Sequence, residues 1–155
     1  MSRLRLTLPV AATLLPVAAT LLAGCVAPAP TVSAYEGKAV KSAQAALSEL
    51  ETARLAVQAA EVGRLPGTTL ETVLSDAEDA YSSVQQTFDS VQPPEDPAAD
   101  RLRTTLDDLL TSGSDGLQQL RILARRHHEA QVASIARGLA TVAAGLARFE
   151  QEHSG

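Results

Sequence analysis

The chain reads as all-α, an antiparallel up-down-up-down four-helix bundle, and three observations lead there. Apolar residues recur with the 3.6-residue period of a helix in four separate stretches. No stretch from Val32 onward shows the alternation or the β-branched runs of a strand. The stretches are long and their connections short, the pattern of helices that fold back on their neighbours.

The first helix is expected at about 33–62. Its stripe is Ala39, Ala43, Ala46, Leu47, Leu50, Ala53, Val57 and Ala60, with Leu55 and Val62 broadening it on one side. Small side chains dominate, which permits close helix approach. Gly63-Arg64-Leu65-Pro66-Gly67 ends it, with glycine available for a left-handed C-terminal residue. The second helix is expected at about 69–91, capped by Thr68 or Thr69. Its stripe is Leu70, Val73, Leu74, Ala77, Tyr81, Val84, Phe88 and Val91, and Pro93-Pro94 stop it.

The third helix is expected at about 97–126, opened by Asp96 as cap and Pro97 in the first turn. Leu102, Leu106, Leu109, Leu110, Gly113, Leu117, Leu120 and Ala124 form its stripe. Ser112-Gly113-Ser114-Asp115-Gly116 interrupts a strong helix former, at about 1 kcal/mol per glycine relative to alanine. The stripe keeps phase across these residues, so one continuous helix is preferred to a break. The glycines then mark a close packing contact or a kink. The fourth helix, about 130–152, carries Val132, Ile135, Ala136, Leu139, Val142, Ala143, Leu146 and Phe149. Only Arg125-Arg126-His127-His128-Glu129 separates it from the third, without Gly or Pro. A single long helix is the alternative, but it would leave its stripes without partners in the chain.

Composition narrows the function classes. The chain has 155 residues, no Trp and 3% aromatics, so its core is aliphatic. Arg outnumbers Lys eleven to two, a bias typical of high-GC coding. Without Arg3 and Arg5 the remaining chain carries 11 Lys+Arg against 18 Asp+Glu, a net charge of −7. Such a surface repels phosphate backbones and argues against nucleic-acid binding. Attachment to anionic lipid by surface charge is disfavoured for the same reason.

Positions 1–24 form a leader. Arg3 and Arg5 give a basic start, and Leu6–Leu22 is uncharged and mostly apolar but broken by Pro9 and Pro16. At about 17 residues the stretch is short for a membrane span. It ends in Leu22-Ala23-Gly24-Cys25, which resembles the lipobox of bacterial lipoproteins. The resemblance covers about 25 residues and implies a diacylglyceryl thioether on Cys25, the one covalent group expected, with cleavage between Gly24 and Cys25. Leu22, Ala23 and Gly24 would be read by the signal peptidase. The alternatives are an ordinary signal peptide or an uncleaved anchor. Cys25 is the single cysteine and has no disulfide partner within the chain. Positions 25–32 form the lipidated Cys and an Ala/Pro tether, Val26-Ala-Pro-Ala-Pro-Thr31 being an extended spacer. Positions 33–155 form the bundle.

Candidate chemistry is sparse. His127 and His128 are adjacent and point about 100° apart on a helix, so they do not jointly face one metal. Glu150 and His153 have the Glu-x-x-His spacing of di-iron bundles, but only one such motif exists and the other stripes hold no glutamate. No metal and no dissociable cofactor is therefore expected. Asp76, Glu78, Asp79 and the pair Asp107-Asp108 read as solvated faces. Arg121, Arg125 and Arg126 form a basic cluster that either receives an acidic partner or pairs with carboxylates of neighbouring helices. Phe88-Asp89-Ser90-Val91-Gln92-Pro93-Pro94 and the Leu120–Arg126 stretch resemble small actinobacterial lipoproteins of uncharacterised role. That resemblance implies a helical exported domain and no catalytic residue.

The expectation is an exported protein held by its lipid on the outer face of the cell membrane. Its bundle would be non-enzymatic and work through contacts with an envelope protein. The alternative is a small-molecule binder with a pocket between helices. An enzyme would need a cleft of convergent polar groups, which these motifs do not assemble.

Overall fold

Four helices account for nearly all of the computed structural model, which describes residues 29–154. They are α1 (Val32–Glu61), α2 (Gly67–Asp89), α3 (Pro97–Arg125) and α4 (Glu129–His153). Among the described residues there is no strand. Cys25 and the Leu22-Ala23-Gly24 motif lie outside the described residues.

The starts and stops of α1, α2 and α3 have local causes. The Thr31 hydroxyl accepts from the Ala34 N–H and caps α1. Asp96 accepts from the Ala98 N–H at 2.7 Å and caps α3 in the same way. At the start of α2 the expected threonine cap is replaced. Pro66 is the N-cap, extended at φ −61° and ψ 146°, and its carbonyl accepts the first helical bond from Leu70. That bond draws Gly67, Thr68 and Thr69 into the first turn, so α2 begins two residues earlier than the sequence predicts. It also ends two residues earlier. Pro93 offers no N–H to the Asp89 carbonyl. The Arg103 guanidinium of α3 donates to the Asp89 and Val91 carbonyls instead, each at 3.4 Å.

The α1–α2 and α3–α4 turns are the same device made from different residues. After α1, Gly63 sits at φ 69°; its N–H bonds Ala60 O and the Arg64 N–H bonds Ala59 O. After α3, His127 sits at φ 55°; its N–H bonds Ala124 O and the His128 N–H bonds Leu123 O. Both are Schellman turns with a left-handed residue just past the helix. This explains how α3 and α4 separate without Gly or Pro: His127 takes a conformation that glycine adopts at lower cost.

The closer diagonal of the bundle joins α1 to α3, and each of these two touches all three other helices, whereas α2 and α4 make no close backbone approach; α1 packs most extensively on α4. Its buried line Tyr35, Ala39, Ala43, Ala46, Leu50, Ala53 and Val57 is mostly alanine, which lets the diagonal partner α3 come near. Leu55 and Val62, expected to widen this line, are instead 61% and 65% exposed. They lie on the outer side of α1, where no helix packs.

The α3 helix is continuous through Gly113 and Gly116, and both glycines are packing holes. A Cβ at 113 would collide with the Tyr81 ring and hydroxyl of α2, and one at 116 with Leu139 of α4. Gly145 of α4 reciprocates by receiving Leu109 of α3, whose methyl would lie 2.7 Å from a Cβ there. The α3–α4 seam is thus a mutual leucine-into-glycine fit.

These contacts set two stability outcomes. Gly113→Ala should cost about 1–3 kcal/mol in chemical denaturation, the range for overpacking. Tyr81→Leu in the same chain should recover part of that loss. His127→Gly should stabilise by about 0.5–1 kcal/mol while Gly63→Ala destabilises by about 1 kcal/mol. Equal responses at the two turns would contradict the shared geometry.

Candidate functional site

Side-chain size is distributed unevenly along the bundle. The near end, where α1 begins, is closed by rings. Tyr35 of α1 and Phe88 of α2 lie with centroids 5.8 Å apart, and Phe149 of α4 packs on His153 at 4.6 Å. The fourth aromatic, Tyr81, is fully buried against Gly113. The far end has no Phe or Tyr. There the last core layer is Val57, Leu70, Ala124 and Val132, and the residues above it are Ala60, Gly67, Ala130 and Ala133.

This shortage of bulk leaves a groove of about 510 Å³ between the end of α1, the α1–α2 turn, the α3–α4 turn and the start of α4. Such a volume falls in the range that holds a small organic ligand or an anchoring side chain. Leu65 forms one wall, and Glu61, His127, His128 and Glu129 form the polar mouth. The two histidines are exposed, as expected of a turn, but the turn places them on this groove rather than on open surface. Periodicity could not reveal it, because the groove is defined by what the two turns fail to fill.

The basic cluster is divided. Arg121 forms a two-bond fork with Glu78 of α2, with Nη2 at 3.2 Å from Oε1. These hydrogen bonds raise the Arg121 pKa. Glu78 is accordingly half-buried and paired rather than solvated, because the α2–α3 contact covers it. Arg125 and Arg126 remain exposed at the end of α3. The Glu-x-x-His residues also part company. Glu150 accepts from the Gln44 amide at 2.7 Å, and His153 Nδ1 meets Glu36 at 2.7 Å, so both tie α4 to α1. No group of three or more His, Cys, Asp or Glu among the described residues could hold a metal ion.

A second polar cluster lies near the ring-closed end. Asp107 Oδ2 is 3.4 Å from Arg103 Nε, but its Oδ1 is buried without a hydrogen bond, as is the Tyr35 hydroxyl. Asp107 is therefore half-buried rather than solvated. Burial raises its carboxyl above the usual carboxylate range; Arg103 pulls the other way, and Asp89 and Asp108 add to the rise. Burial likewise raises the Tyr35 phenol, partly offset by Arg103, which approaches without hydrogen-bond geometry. Tyr35 stands four residues before Ala39 on the same helical line, so its spacing marks it as core although the expected stripe begins only at Ala39.

By length and composition α4 could cross a membrane. Its Val132, Ala136, Leu139, Ala143, Leu146 and Phe149 are buried against the other helices, while most of the helix is not buried. Compared with protein-family models, curated proteins and solved structures, the chain matches none.

The Asp107 shift sets a pH test. A carboxyl whose folded pKa is raised holds its proton more tightly when folded. Its ionisation therefore destabilises the fold as pH rises from the ordinary value through the raised one. Asp107→Asn should be more stable than the parent at about pH 7, with the difference shrinking toward about pH 4. Denaturant midpoints at both pH values measure it, and a difference that grows in acid would contradict the assignment.

Proposed function

We propose that the protein is an exported lipoprotein, lipidated on Cys25, whose bundle is a non-enzymatic interaction module facing the cell envelope. The lipobox residues Leu22-Ala23-Gly24-Cys25 support the anchor. The position of the groove supports the interaction. Ala29 is only 3% exposed, already part of the core at the near end, and it stands four positions after Cys25. An extended chain of that length spans at most about 14 Å. The helix α1, with 30 residues, carries the chain to the far end where the groove opens. At the rise of an α-helix that distance is about 45 Å. In this arrangement the ring-closed end stays near the headgroups and the open groove is presented outward to a partner.

The groove also favours a second reading, in which the bundle binds a small molecule there. Val57, Leu65, Leu70 and Val132 offer it apolar contact, and the two turns add polar groups in about equal measure.

Two measurements on intact cells test the first reading. Cys25→Ala should fold normally but leave the detergent phase in phase separation; retention there would mean an uncleaved anchor. A photo-crosslinking residue at Leu65 should capture a discrete protein, whereas the same residue at Pro93 on the α2–α3 connection should not. Equal capture at both positions, or none at Leu65, would count against a far-end interaction.

A further inference from the structure

The charge of the bundle varies along its axis. Within two turns of each helix end at the near end, and in the α2–α3 connection, stand seven carboxylates, Glu36, Asp89, Glu95, Asp96, Asp100, Glu150 and Glu152. Four cations, Lys38, Arg101, Arg103 and Arg148, oppose them and leave a net −3, with histidine counted neutral. Counted the same way, the far end sets Glu61, Glu71 and Glu129 against Arg64, Arg121, Arg125 and Arg126, a net +1. The middle of the bundle carries the remaining −5.

Exposed apolar bulk is placed the other way. Leu55 and Val62 stand at the end of α1 and Ile122 in the last turn of α3, and no other large hydrophobic residue is exposed among the described residues. A peripheral protein holds a membrane by inserting apolar side chains or by a surplus of cations facing anionic headgroups. The near end has neither. Yet it is the end where the chain enters the fold, since Ala29 is buried there and Cys25 lies four positions before it.

Resting on the reading of Cys25 as the lipid anchor, we propose that an anionic lipid surface holds this bundle upright by repulsion. The spacer reaches at most about 14 Å, less than two Debye lengths of about 8 Å at physiological ionic strength. The near end therefore stays inside the field of the headgroups and is pushed to the limit of its tether. Leaning would bring the middle of the bundle, with its −5, into the same field, so the repulsion sets the angle as well as the height. The far end, with its arginines and exposed Val62, is the one part not repelled, and the upright position carries it about 45 Å from the near end. On an uncharged membrane only the spacer limits the angle, and the bundle leans.

The test places the full chain, processed in cells to its lipidated form, on vesicles of phosphatidylcholine alone or with about one third phosphatidylglycerol. A donor dye on Gln92→Cys at the near end, or on Gln131→Cys at the far end, reports its distance from acceptor-labelled headgroups. At low salt, phosphatidylglycerol should lower energy transfer at both positions, by about twofold at Gln131, and high salt should restore it. The variant Glu95→Lys/Asp100→Lys/Glu152→Lys leaves the Asp96 cap in place and turns the near end from −3 to +3. Its transfer at Gln92 should rise on phosphatidylglycerol, with the melting temperature preserved. Transfer indifferent to phosphatidylglycerol, or a charge variant that responds as the parent does, overturns the repulsion and leaves the anchor standing. A parent chain that leaves the vesicles as readily as Cys25→Ala overturns the anchor reading and the repulsion together.

Discussion

The close approach of α1 to α3 across the bundle diagonal is the constraint on which the rest of the structure depends. A buried leucine contributes about 1.5–3 kcal/mol through removed apolar area, and alanine contributes far less. The value of Ala39, Ala43, Ala46 and Ala53 is therefore geometric: they let α1 reach α3 across the diagonal. Most of the large side chains come from the partners: Leu74, Tyr81, Leu106, Leu110, Leu117 and Leu146 are all fully buried, beside Tyr35 and Leu50 of α1. Where α3 and α4 meet, Gly116 and Gly145 repeat the device by taking leucines from the opposite helix.

This packing has a consequence for polarity. Among the described residues, every one in the buried class is apolar apart from Gly113, and the ion pairs lie at the edges of the helix contacts. The exceptions are single atoms, the Tyr35 hydroxyl and Asp107 Oδ1, where the near end closes over groups it does not satisfy. An unmet buried polar group costs about 1–3 kcal/mol. The near end thus combines the bulkiest apolar residues with a local polar penalty. The far end is lightly packed, and its ionisable groups face solvent. The two ends of one bundle have different physical characters.

That difference gives direction to the proposed role. A module tethered ahead of Ala29, which is buried at the near end, would have an inner and an outer end, with the groove at the outer one. The polar residues available to a partner there come from two turns, which loops commonly supply for recognition on a rigid scaffold. The Schellman geometry holds His127 and His128 in place at the groove mouth.

Helix number, type and approximate limits were legible in the sequence, because a stripe such as Leu70, Leu74, Ala77, Tyr81, Phe88 is a local record of which side is buried. The continuity of α3 was legible for the same reason, through a phase that survives Gly113 and Gly116. Local order also marked Gly63 as a turn residue. What each glycine receives was decided only by tertiary structure, since Tyr81 and Leu139 lie on other helices. So were the pairing of Glu78 with Arg121, the parting of Glu150 from His153, and the exposure of Leu55 and Val62. Each depends on which helix stands opposite, and periodicity along one helix carries no record of that. The groove is the extreme case. It is an absence of bulk shared by two turns and two helix ends far apart in the chain, so it exists only once the four helices are brought together.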